Sequence, residues 1–343
     1  MDAPNSPLDR LIPLVGSSLL GNRQGEVARL GDCANSAAEV RARRCEDGLP
    51  APPLAFLSLT SPSAFARCNC ATSLHGWSID LPRPLLNRVL FEAEKAGVFF
   101  CALTGRGRWI DDDLLDVMRV HDRQVFLLCV QPDELGRSAE SLSRLPHVLP
   151  LLVTRNAGAG CCDGCAVPAA RAAIDALRSR RIPYGFAVTA GEGNLAHLMG
   201  LEFFNECLQE DATFGLIVDC LQIPSCDDSC RPVYPAERAA LGRHIAGLRG
   251  RLGGFFAYFP WDLADSGWCL AAPHQLEAGP RDGTTFTLLH VAPSALDDGV
   301  GAPLGTRLFE SLRIAPLGEA RRCTTSVDRL RSARVETRVA SPA

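Results

Sequence analysis

Seven short apolar runs alternate with helical segments between residues 54 and 259, and this alternation constrains the fold more than any other feature. The runs are Leu54–Leu59, Val98–Leu103, Val125–Val130, Val148–Val153, Gly185–Val188, Phe214–Val218 and Phe255–Phe259. The helical segments lie near Pro84–Ala96, Asp112–His121, Val167–Arg180, Leu195–Leu208 and Ala236–Leu248. Continuous apolar strands separated by helices are typical of a parallel sheet covered by helices. The pattern predicts an α/β fold, a full or partial (β/α) barrel, in which the loops after the strands carry the chemistry.

The sequence on either side of this alternation predicts smaller parts. Residues 1–50 are predicted to be a poorly ordered leader with one short helix near Gly25–Arg44, closed by a proline-rich linker. The barrel is predicted to span residues 51–262. Residues 263–320, with a β-like run over Thr284–Val291 and a helix-like segment over Leu304–Ile314, predict a small C-terminal extension, and residues 321–343 predict a frayed tail.

Charge and composition exclude several classes of protein. The net charge is −4, the isoelectric point is near 6.0 and no Lys/Arg-rich run is present, so nucleic acid is not an expected partner. No stretch of eighteen or more apolar residues predicts a membrane span, and the N-terminal segment does not resemble a secretory signal. Fifteen cysteines, an odd number, argue against a disulfide scaffold. These features predict a cytoplasmic protein.

The cysteines fall into two groups. Cys101, Cys129 and Cys220 lie in apolar strand-like runs and Cys207 lies in a helical pattern, so they are predicted to be buried thiols that act as small hydrophobic residues. Three clusters instead follow the first, fourth and sixth strands, in loops rich in Gly, Asp, Ser and Pro. They are Cys68/Cys70, Cys161-Cys162-x-x-Cys165 and Cys226-x-x-x-Cys230. Their positions after the strands predict that all three clusters share one face of the barrel.

The order of these elements, together with several phrases, resembles the radical S-adenosylmethionine superfamily over roughly residues 54–315. The phrases are Ser58-Leu-Thr60 leading into Cys70-Ala-Thr-Ser-Leu-His-Gly-Trp-Ser-Ile-Asp80-Leu-Pro, Gly97-Val-Phe-Phe-Cys-Ala-Leu-Thr-Gly105, Asp112-Asp-Leu-Leu-Asp-Val-Met118, Arg181-Ile-Pro-Tyr-Gly-Phe-Ala-Val-Thr189 and Cys269-Leu-Ala-Ala272. The chain is most similar to the branch that has a C-terminal extension for auxiliary clusters, of the SPASM or twitch type.

The resemblance implies a [4Fe–4S] cluster and S-adenosylmethionine as cofactors, with Cys68, Cys70, Gly105, Arg106 and Gly107 as the matching cofactor-binding positions. The family holds its cluster with C-x3-C-x2-C, in which three thiolates bind three irons. When the sequence is aligned on Cys70, the other two positions are Ser63 and Arg67, and an arginine cannot ligate iron.

The second cofactor motif also departs from the family. The family's Gly-Gly-Glu-Pro turn reads Gly105-Arg106-Gly107-Arg108, which lacks the acidic residue. In the extension Cys269 remains, but Phe286-Thr-Leu-Leu-His290 has no cysteine. These departures predict a degenerate member that does not bind S-adenosylmethionine in the usual way.

The cysteine clusters are compatible with more than one kind of site. Cys70, Cys161, Cys162, Cys165, Cys226, Cys230 and Cys269 are the candidate metal ligands. Paired cysteines on converging loops are typical of zinc or iron–sulfur sites, although these cysteines are equally compatible with a redox disulfide or with no site at all. His75 is a candidate ligand or proton donor beside the first cluster, and Arg106 and Arg108 are candidates for binding an anion.

Three functional hypotheses follow. The first is a pseudoenzyme in a biosynthetic or peptide-modification setting, which binds a small molecule, a peptide or an active family relative at the barrel mouth. The second is an active enzyme that cleaves S-adenosylmethionine reductively, with a [4Fe–4S] cluster held by Cys68, Cys70 and borrowed thiols. The third is a structural protein stabilised by zinc or a cluster in the loops of Cys161 and Cys226.

Overall fold

The computed structural model describes residues 24–46, 54–59, 83–104, 109–135, 138–153, 167–219, 233–249 and 251–259. Within these ranges a strand is followed by one or more helices before the next strand begins. The strands are β1 Leu54–Ser58, β2 Phe100–Thr104, β3 Val125–Val130, β4 Val148–Val153, β5 Gly185–Ala190, β6 Phe214–Asp219 and β7 Phe255–Phe259. The helices are α1 Gln24–Glu46, α2 Arg83–Lys95, α3 Asp112–Val120, α4 Pro132–Leu135, α5 Ala139–Leu142, α6 Val167–Ser179, α7 Leu195–Leu198, α8 Glu202–Gln209 and α9 Pro235–Leu248.

The seven strands form one parallel sheet in the order β1-β2-β3-β4-β5-β6-β7. Across the first four strands, Ser58 lies beside Thr104, Thr104 beside Cys129 and Cys129 beside Leu151. Consecutive parallel pairing with helical crossovers is the arrangement of a (β/α) barrel. Within the described residues the pairing runs from β1 to β7 without closing. The predicted α/β fold is therefore confirmed, as a partial barrel.

Two hydrophobic layers cover the two faces of the sheet. The outer layer joins outward-facing strand residues, such as Ala55, Cys101 and Phe126, to the apolar faces of the surrounding helices. The inner layer joins the alternate strand residues, such as Phe100 and Leu127, to Leu30 and Ala34 of α1. Residues that alternate along a strand face opposite sides of a sheet, which accounts for this division. Both faces are buried, and this explains why the strands read as continuous apolar runs.

Helix α1 packs against the edge of the sheet at which the strands begin. Arg29 Nη1 donates to the Asp122 carbonyl oxygen at 2.8 Å, just before β3. Arg41 Nη1 donates to the Gly97 carbonyl oxygen at 2.6 Å, just before β2. Gly97 has φ +84°, and a Cβ there would lie 2.6 Å from the Ala37 carbonyl oxygen, so glycine allows the close approach of α1. The helix predicted near 25–44 is thus a 23-residue helix that packs into the inner layer.

Most predicted elements appear with shifts of one or two residues at their ends. The predicted helix Leu195–Leu208 is wrong as a single helix, because the chain breaks between α7 and α8. At the break the amide of Gly200 donates to the His197 carbonyl at 3.1 Å, and glycine lowers helix propensity there. The predicted extension 263–320, the tail 321–343 and Cys220 lie outside the described residues. No helix in the described ranges combines the length and the hydropathy that a membrane span requires.

Candidate functional site

The candidate site is the edge of the sheet at which the strands end. Because all strands are parallel, the segments that follow β1, β2, β4 and β6 all begin at this edge. The residues predicted to bind a cofactor or metal lie on those segments or after β7, and all of them lie outside the described residues. They are Cys68, Cys70, Gly105, Arg106, Gly107, Cys161, Cys162, Cys165, Cys226, Cys230 and Cys269, together with His75 and Arg108.

One arginine bonds together the first described residues after β1 and the first described residues after β2. Arg83, the first residue of α2, follows the segment after β1. Its Nη2 donates to Asp111 Oδ2 at 2.7 Å and to the Trp109 carbonyl oxygen at 2.8 Å, while its Nε donates to Asp111 Oδ1 at 3.2 Å. Trp109 comes directly after residues 105–108. The residues with which the chain returns to the described structure after β1 and after β2 are therefore joined by one two-pronged ion pair.

Asp111 has a second role, as the N-cap of α3. Its Oδ1 accepts a hydrogen bond from the Leu114 amide at 2.8 Å, which satisfies one of the free amides at the helix start. Partial burial works against ionisation, but the bonds from Arg83 and from Leu114 outweigh it and lower the pKa of the Asp111 carboxyl. The helix predicted near Asp112–His121 is confirmed as α3. The carboxylate thus anchors both a helix and the neighbouring segment.

Trp109 is held from the other side by the loop after β3. Its side chain is 2% exposed, and its Nε1 donates to Glu134 Oε2 at 3.2 Å. The same carboxylate oxygen accepts from the Gln131 amide at 3.2 Å. A buried indole needs a partner for its N–H, and here that partner belongs to the next loop along the edge. Trp109 is therefore held both by Arg83 of α2 and by Glu134 of α4.

The loop after β5 is closed by a buried asparagine. Asn194 is 3% exposed; its Oδ1 accepts from the Gly191 amide at 2.8 Å and its Nδ2 donates to the Thr189 carbonyl oxygen at 2.7 Å. The side chain thereby bonds two backbone groups at the end of the strand. The loop is a short, internally bonded turn, with a 3₁₀ helix over Glu192–Asn194.

The inner face below this edge is apolar wherever its side chains are described, apart from one thiol and one threonine. Cys129 belongs to the inner layer and lies beside Thr104 in the register. Burial raises the pKa of Cys129 to about 12, so its thiol is neutral at physiological pH. Thr189 occupies the corresponding inward position near the end of β5. A polar or charged ligand would therefore find its partners in the loops rather than on the sheet.

Cys101 and Cys207 are also neutral thiols. Cys101 faces the outer layer and accepts a hydrogen bond from Gln124 Nε2 at 3.6 Å, and burial with a contribution from Glu94 raises its pKa. The predicted burial of Cys101 and Cys129 is confirmed. Cys207 is only half-buried, although its thiol pKa is raised to about 12, mainly by desolvation. Among the described residues, no group of three or more His, Cys, Asp or Glu side chains has an arrangement that could hold a metal ion.

The sheet order sets a distance for the second and third cysteine clusters. The segments that contain Cys161 and Cys226 follow β4 and β6, and β5 lies between these strands. Two inter-strand spacings of about 4.8 Å separate the strand ends by roughly 10 Å. A zinc ion needs sulfur atoms at about 2.3 Å, so a shared site requires both segments to lean across the end of β5. Whether these segments converge stays a prediction.

Sequence reasoning missed the contacts that hold this edge together. Arg83 and Asp111 are 28 residues apart, and Trp109 and Glu134 are 25 apart, so no local pattern links them. Asn194 follows a Gly-x-Gly turn, which was the one available signal for a side chain that caps the end of a strand.

No protein-family model matches the chain, and no curated protein matches it either. Among solved structures, SuiB from Streptococcus suis bound to precursor peptide SuiA is similar, with a TM-score of 0.48 and 12% identity over 65% of this chain and 53% of that chain. The native structure of anSMEcpe with bound AdoMet and Cp18Cys peptide gives a TM-score of 0.41 at 12% identity, over 60% of this chain and 63% of that chain.

A third similar structure comes from a different enzyme, the carboxyl transferase domain of Rhizobium etli pyruvate carboxylase with 3-bromopyruvate. It gives a TM-score of 0.38 at 9% identity, over 92% of this chain and 52% of that chain. The chain thus spans about half the length of SuiB and of this domain. All these TM-scores are below 0.5, so the fold is argued from the sheet of this chain alone.

Proposed function

We propose that this chain is a ligand- or partner-binding protein of the radical S-adenosylmethionine type that does not hold the family's cofactors in the usual way. The main support for the proposal combines the positions of two sequence motifs with one contact in the structure. The segments that contain the two departed motifs leave adjacent strands, β1 and β2, and their far ends are joined by the Arg83–Asp111 ion pair. Both departures therefore belong to one place in the fold, as expected if a single binding function has changed.

The donor set does not fit the cluster that the resemblance implies. Ser63 is a poor replacement for a thiolate, and Arg67 is a permanent cation that cannot ligate iron. Cys70 is then the one thiol left at a matching position, and Cys68 lies only two residues from it. The described thiols nearest to this edge do not supply a ready replacement, because Cys129 is a neutral, buried thiol. No reaction step is therefore assigned to a cluster.

The second motif has changed toward binding an anion. In Gly105-Arg106-Gly107-Arg108 a glycine replaces the family's acidic residue, and two arginines flank that glycine. Arginine pairs with carboxylates and phosphates through two parallel hydrogen bonds. We therefore infer that the ligand presents an anionic group to this turn. A peptide carboxylate, a small molecule or an acidic surface of an active relative meets this requirement, and the biosynthetic or peptide-modification setting rests on the family resemblance.

Iron and sulfide analysis of the full chain tests the proposal. The protein is purified and reconstituted without oxygen, and its absorbance spectrum and metal content are compared with those of Cys70→Ala and of Cys33→Ala, a matched control in α1. We expect a colourless protein with neither iron nor sulfide in all three forms, and no methionine released when S-adenosylmethionine and a strong reductant are added. A brown protein with about four irons, lost in Cys70→Ala but kept in Cys33→Ala, would establish the active-enzyme hypothesis instead.

The same preparation tests the zinc alternative. A colourless protein that holds about one zinc, and loses it in Cys161→Ala and in Cys226→Ala, would establish a structural site between the segments after β4 and β6.

The anion-binding part of the proposal has its own test. The melting temperature is measured with citrate, inorganic phosphate and pyrophosphate as probes, because a ligand that binds only the folded state raises it. We expect at least one probe to stabilise the wild type and not an Arg106→Ala/Arg108→Ala double variant, while a control variant, Arg171→Ala/Arg180→Ala on α6 and in the turn after it, responds like the wild type. Equal stabilisation of all three proteins would reject the arginine pair as the binding site.

A further inference from the structure

A cavity of about 240 Å³ lies between α1 and α2, at the opposite edge of the sheet from the candidate site. Helix α1 is held at two points on either side of it, by the bonds from Arg29 to Asp122 and from Arg41 to Gly97. Between these anchors α1 turns one stripe, spaced at i, i+3, i+4 and i+7, toward the cavity. The stripe is Cys33, Ser36, Ala37 and Val40. Three of these four side chains are small, so the helix does not fill the space below it.

The walls of the cavity are mainly apolar. Val98 and Phe99 form part of the wall at the start of β2, and Phe91 of α2 forms one side. The Phe91 ring is 50% exposed, which is unusual for a large aromatic side chain in this protein. An apolar cavity of about 150 Å³ is enough to hold benzene. A volume of 240 Å³ therefore has room for one aromatic ring and a short chain, and is below the usual size of a site for larger ligands.

The rim carries two cations and one carboxylate, from Lys95, Arg123 and Glu94. Lys95 Nζ lies 4.2 Å from the centre of the Phe91 ring and 3.8 Å from Glu92 Oε1. Arg123 Nε lies 3.6 Å from Glu94 Oε1, and the Arg123 side chain is 61% exposed. Both ion pairs are long and exposed, and such pairs contribute little to stability. Each cation can therefore turn to an added carboxylate at small cost.

Glu94 is the one acidic group among the cavity walls, and it already has partners. His121 and Arg123 lower the pKa of Glu94, and His121 Nδ1 lies 3.8 Å from its Oε2. With Glu94 ionised, the lining carries a formal charge of +1, from Lys95 and Arg123 against Glu94. This balance favours an anionic ligand over a cationic one, because a cation would meet two positive side chains at the rim.

We infer that this cavity binds a small aromatic carboxylate, whose ring lies against Phe91 and whose carboxylate pairs with Lys95 and Arg123. An aromatic ring gains more from Phe91 than an aliphatic chain of equal area, because offset-stacked and edge-to-face ring pairs attract each other beyond the effect of the area they bury. The inference is independent of the proposed function, since no residue of the candidate site lines the cavity.

The competing explanation is a simple packing defect, and Ser36→Leu separates the two. Titration calorimetry of the full chain uses 3-phenylpropionate as the probe, for which we expect a Kd of roughly 1 mM or tighter from ordinary ligand efficiencies. Leucine at position 36 fills the space, so we expect at least a tenfold loss of affinity together with an unchanged or raised melting temperature. A packing defect predicts the same stabilisation by leucine but no binding by the wild type.

Arg123→Gln tests the charge without changing the cavity, because this side chain is largely exposed. We expect about a fivefold loss of affinity for 3-phenylpropionate and no change for 3-phenylpropan-1-ol, its neutral analogue. Arg119→Gln is the matched control, since that arginine is also exposed, pairs with Asp116 on α3 and does not line the cavity. No heat with up to 10 mM of the acid, equal affinity for acid and alcohol, or binding that survives Ser36→Leu would each overturn the inference.

Discussion

Gly215→Ala should destabilise the protein although the backbone of Gly215 needs no glycine conformation. Gly215 lies on β6 beside Phe186 of β5, and an added Cβ would lie 2.3 Å from Phe186 Cζ and 2.6 Å from its Cε2. The Phe186 ring has no room to move away. Three other rings surround it, with centroids at 5.0 Å for Phe203, 6.5 Å for Phe204 and 5.9 Å for Phe256. The missing side chain of Gly215 is therefore what accommodates this aromatic group in the outer layer.

The size of the effect follows from two opposing terms. Adding a methyl group to a packed core costs about 1–3 kcal/mol, and a contact of 2.3 Å is well inside the normal separation of carbon atoms, so the cost lies at the upper end. Alanine recovers roughly 0.5–1 kcal/mol, because the unfolded chain is less flexible than with glycine. We expect a net loss of about 2 kcal/mol, and thus a melting temperature lower by roughly 3 °C for a chain of 343 residues.

Urea and thermal unfolding followed by circular dichroism measure this loss. Gly247→Ala on α9 is the control, because a Cβ there meets no atom within 4 Å, and we expect it to be neutral or to stabilise by up to about 1 kcal/mol. In a Phe186→Leu background, which removes the end of the ring, Gly215→Ala should cost at least about 1 kcal/mol less. Wild-type stability of Gly215→Ala, or an equal cost in both backgrounds, would refute this account of the packing.

Three further substitutions test other contacts. Arg83→Gln removes the two-pronged ion pair, so hydrogen exchange at the Trp109 amide and the residues after it should become faster, with a loss of about 1 kcal/mol in unfolding free energy. Asn194→Ala removes two buried hydrogen bonds at the end of β5, one from the Gly191 amide and one to the Thr189 carbonyl, and should cost about 1–3 kcal/mol in urea unfolding. His147 is buried, and desolvation lowers its pKa even though the Met118 carbonyl accepts from its Nε2. The unfolded chain therefore binds a proton more readily, so stability should fall as the pH drops below about 6.5, and less steeply in His147→Gln.

Each of these substitutions has a matched comparison. Arg144→Gln removes an exposed pair with Glu140 and should change stability by less than about 0.5 kcal/mol. Asn205→Ala changes an exposed asparagine of α8 and should be nearly neutral. His244→Gln removes the other described histidine with a lowered pKa, so it reports how the acid sensitivity is divided between the two. Equal exchange rates in Arg83→Gln, wild-type stability in Asn194→Ala or an unchanged pH profile in His147→Gln would contradict the corresponding contact.

The strands were the most predictable part of the fold. The runs Val125–Val130, Val148–Val153 and Phe255–Phe259 match β3, β4 and β7 to the residue. A strand that is buried on both faces needs apolar residues at every position, and polar or turn-forming residues mark its ends. The first and last residues of such a strand can therefore be predicted from the local sequence. Helices α4 and α5 were missed because four residues each are too few to show a helical period.

The candidate site was predictable only in part. Local phrases located the two departed motifs at Cys70 and Gly105, and the order of elements predicted that their segments share an edge. The side chains that join those segments were not predictable, because Arg83 meets Asp111 across 28 residues and Trp109 meets Glu134 across 25. Nothing in the local sequence of an arginine or a glutamate tells which distant partner it pairs with.

The sequence by itself determined the strand–helix alternation and the parallel sheet, because both depend on residue type and spacing along the chain. Only the tertiary structure decided that α1 closes the starting edge of the sheet and leaves a cavity beside Phe91. It also decided that Gly215 makes room for Phe186. These features depend on the register between strands and on the volumes that meet in space, and neither quantity is a property of any short stretch of sequence.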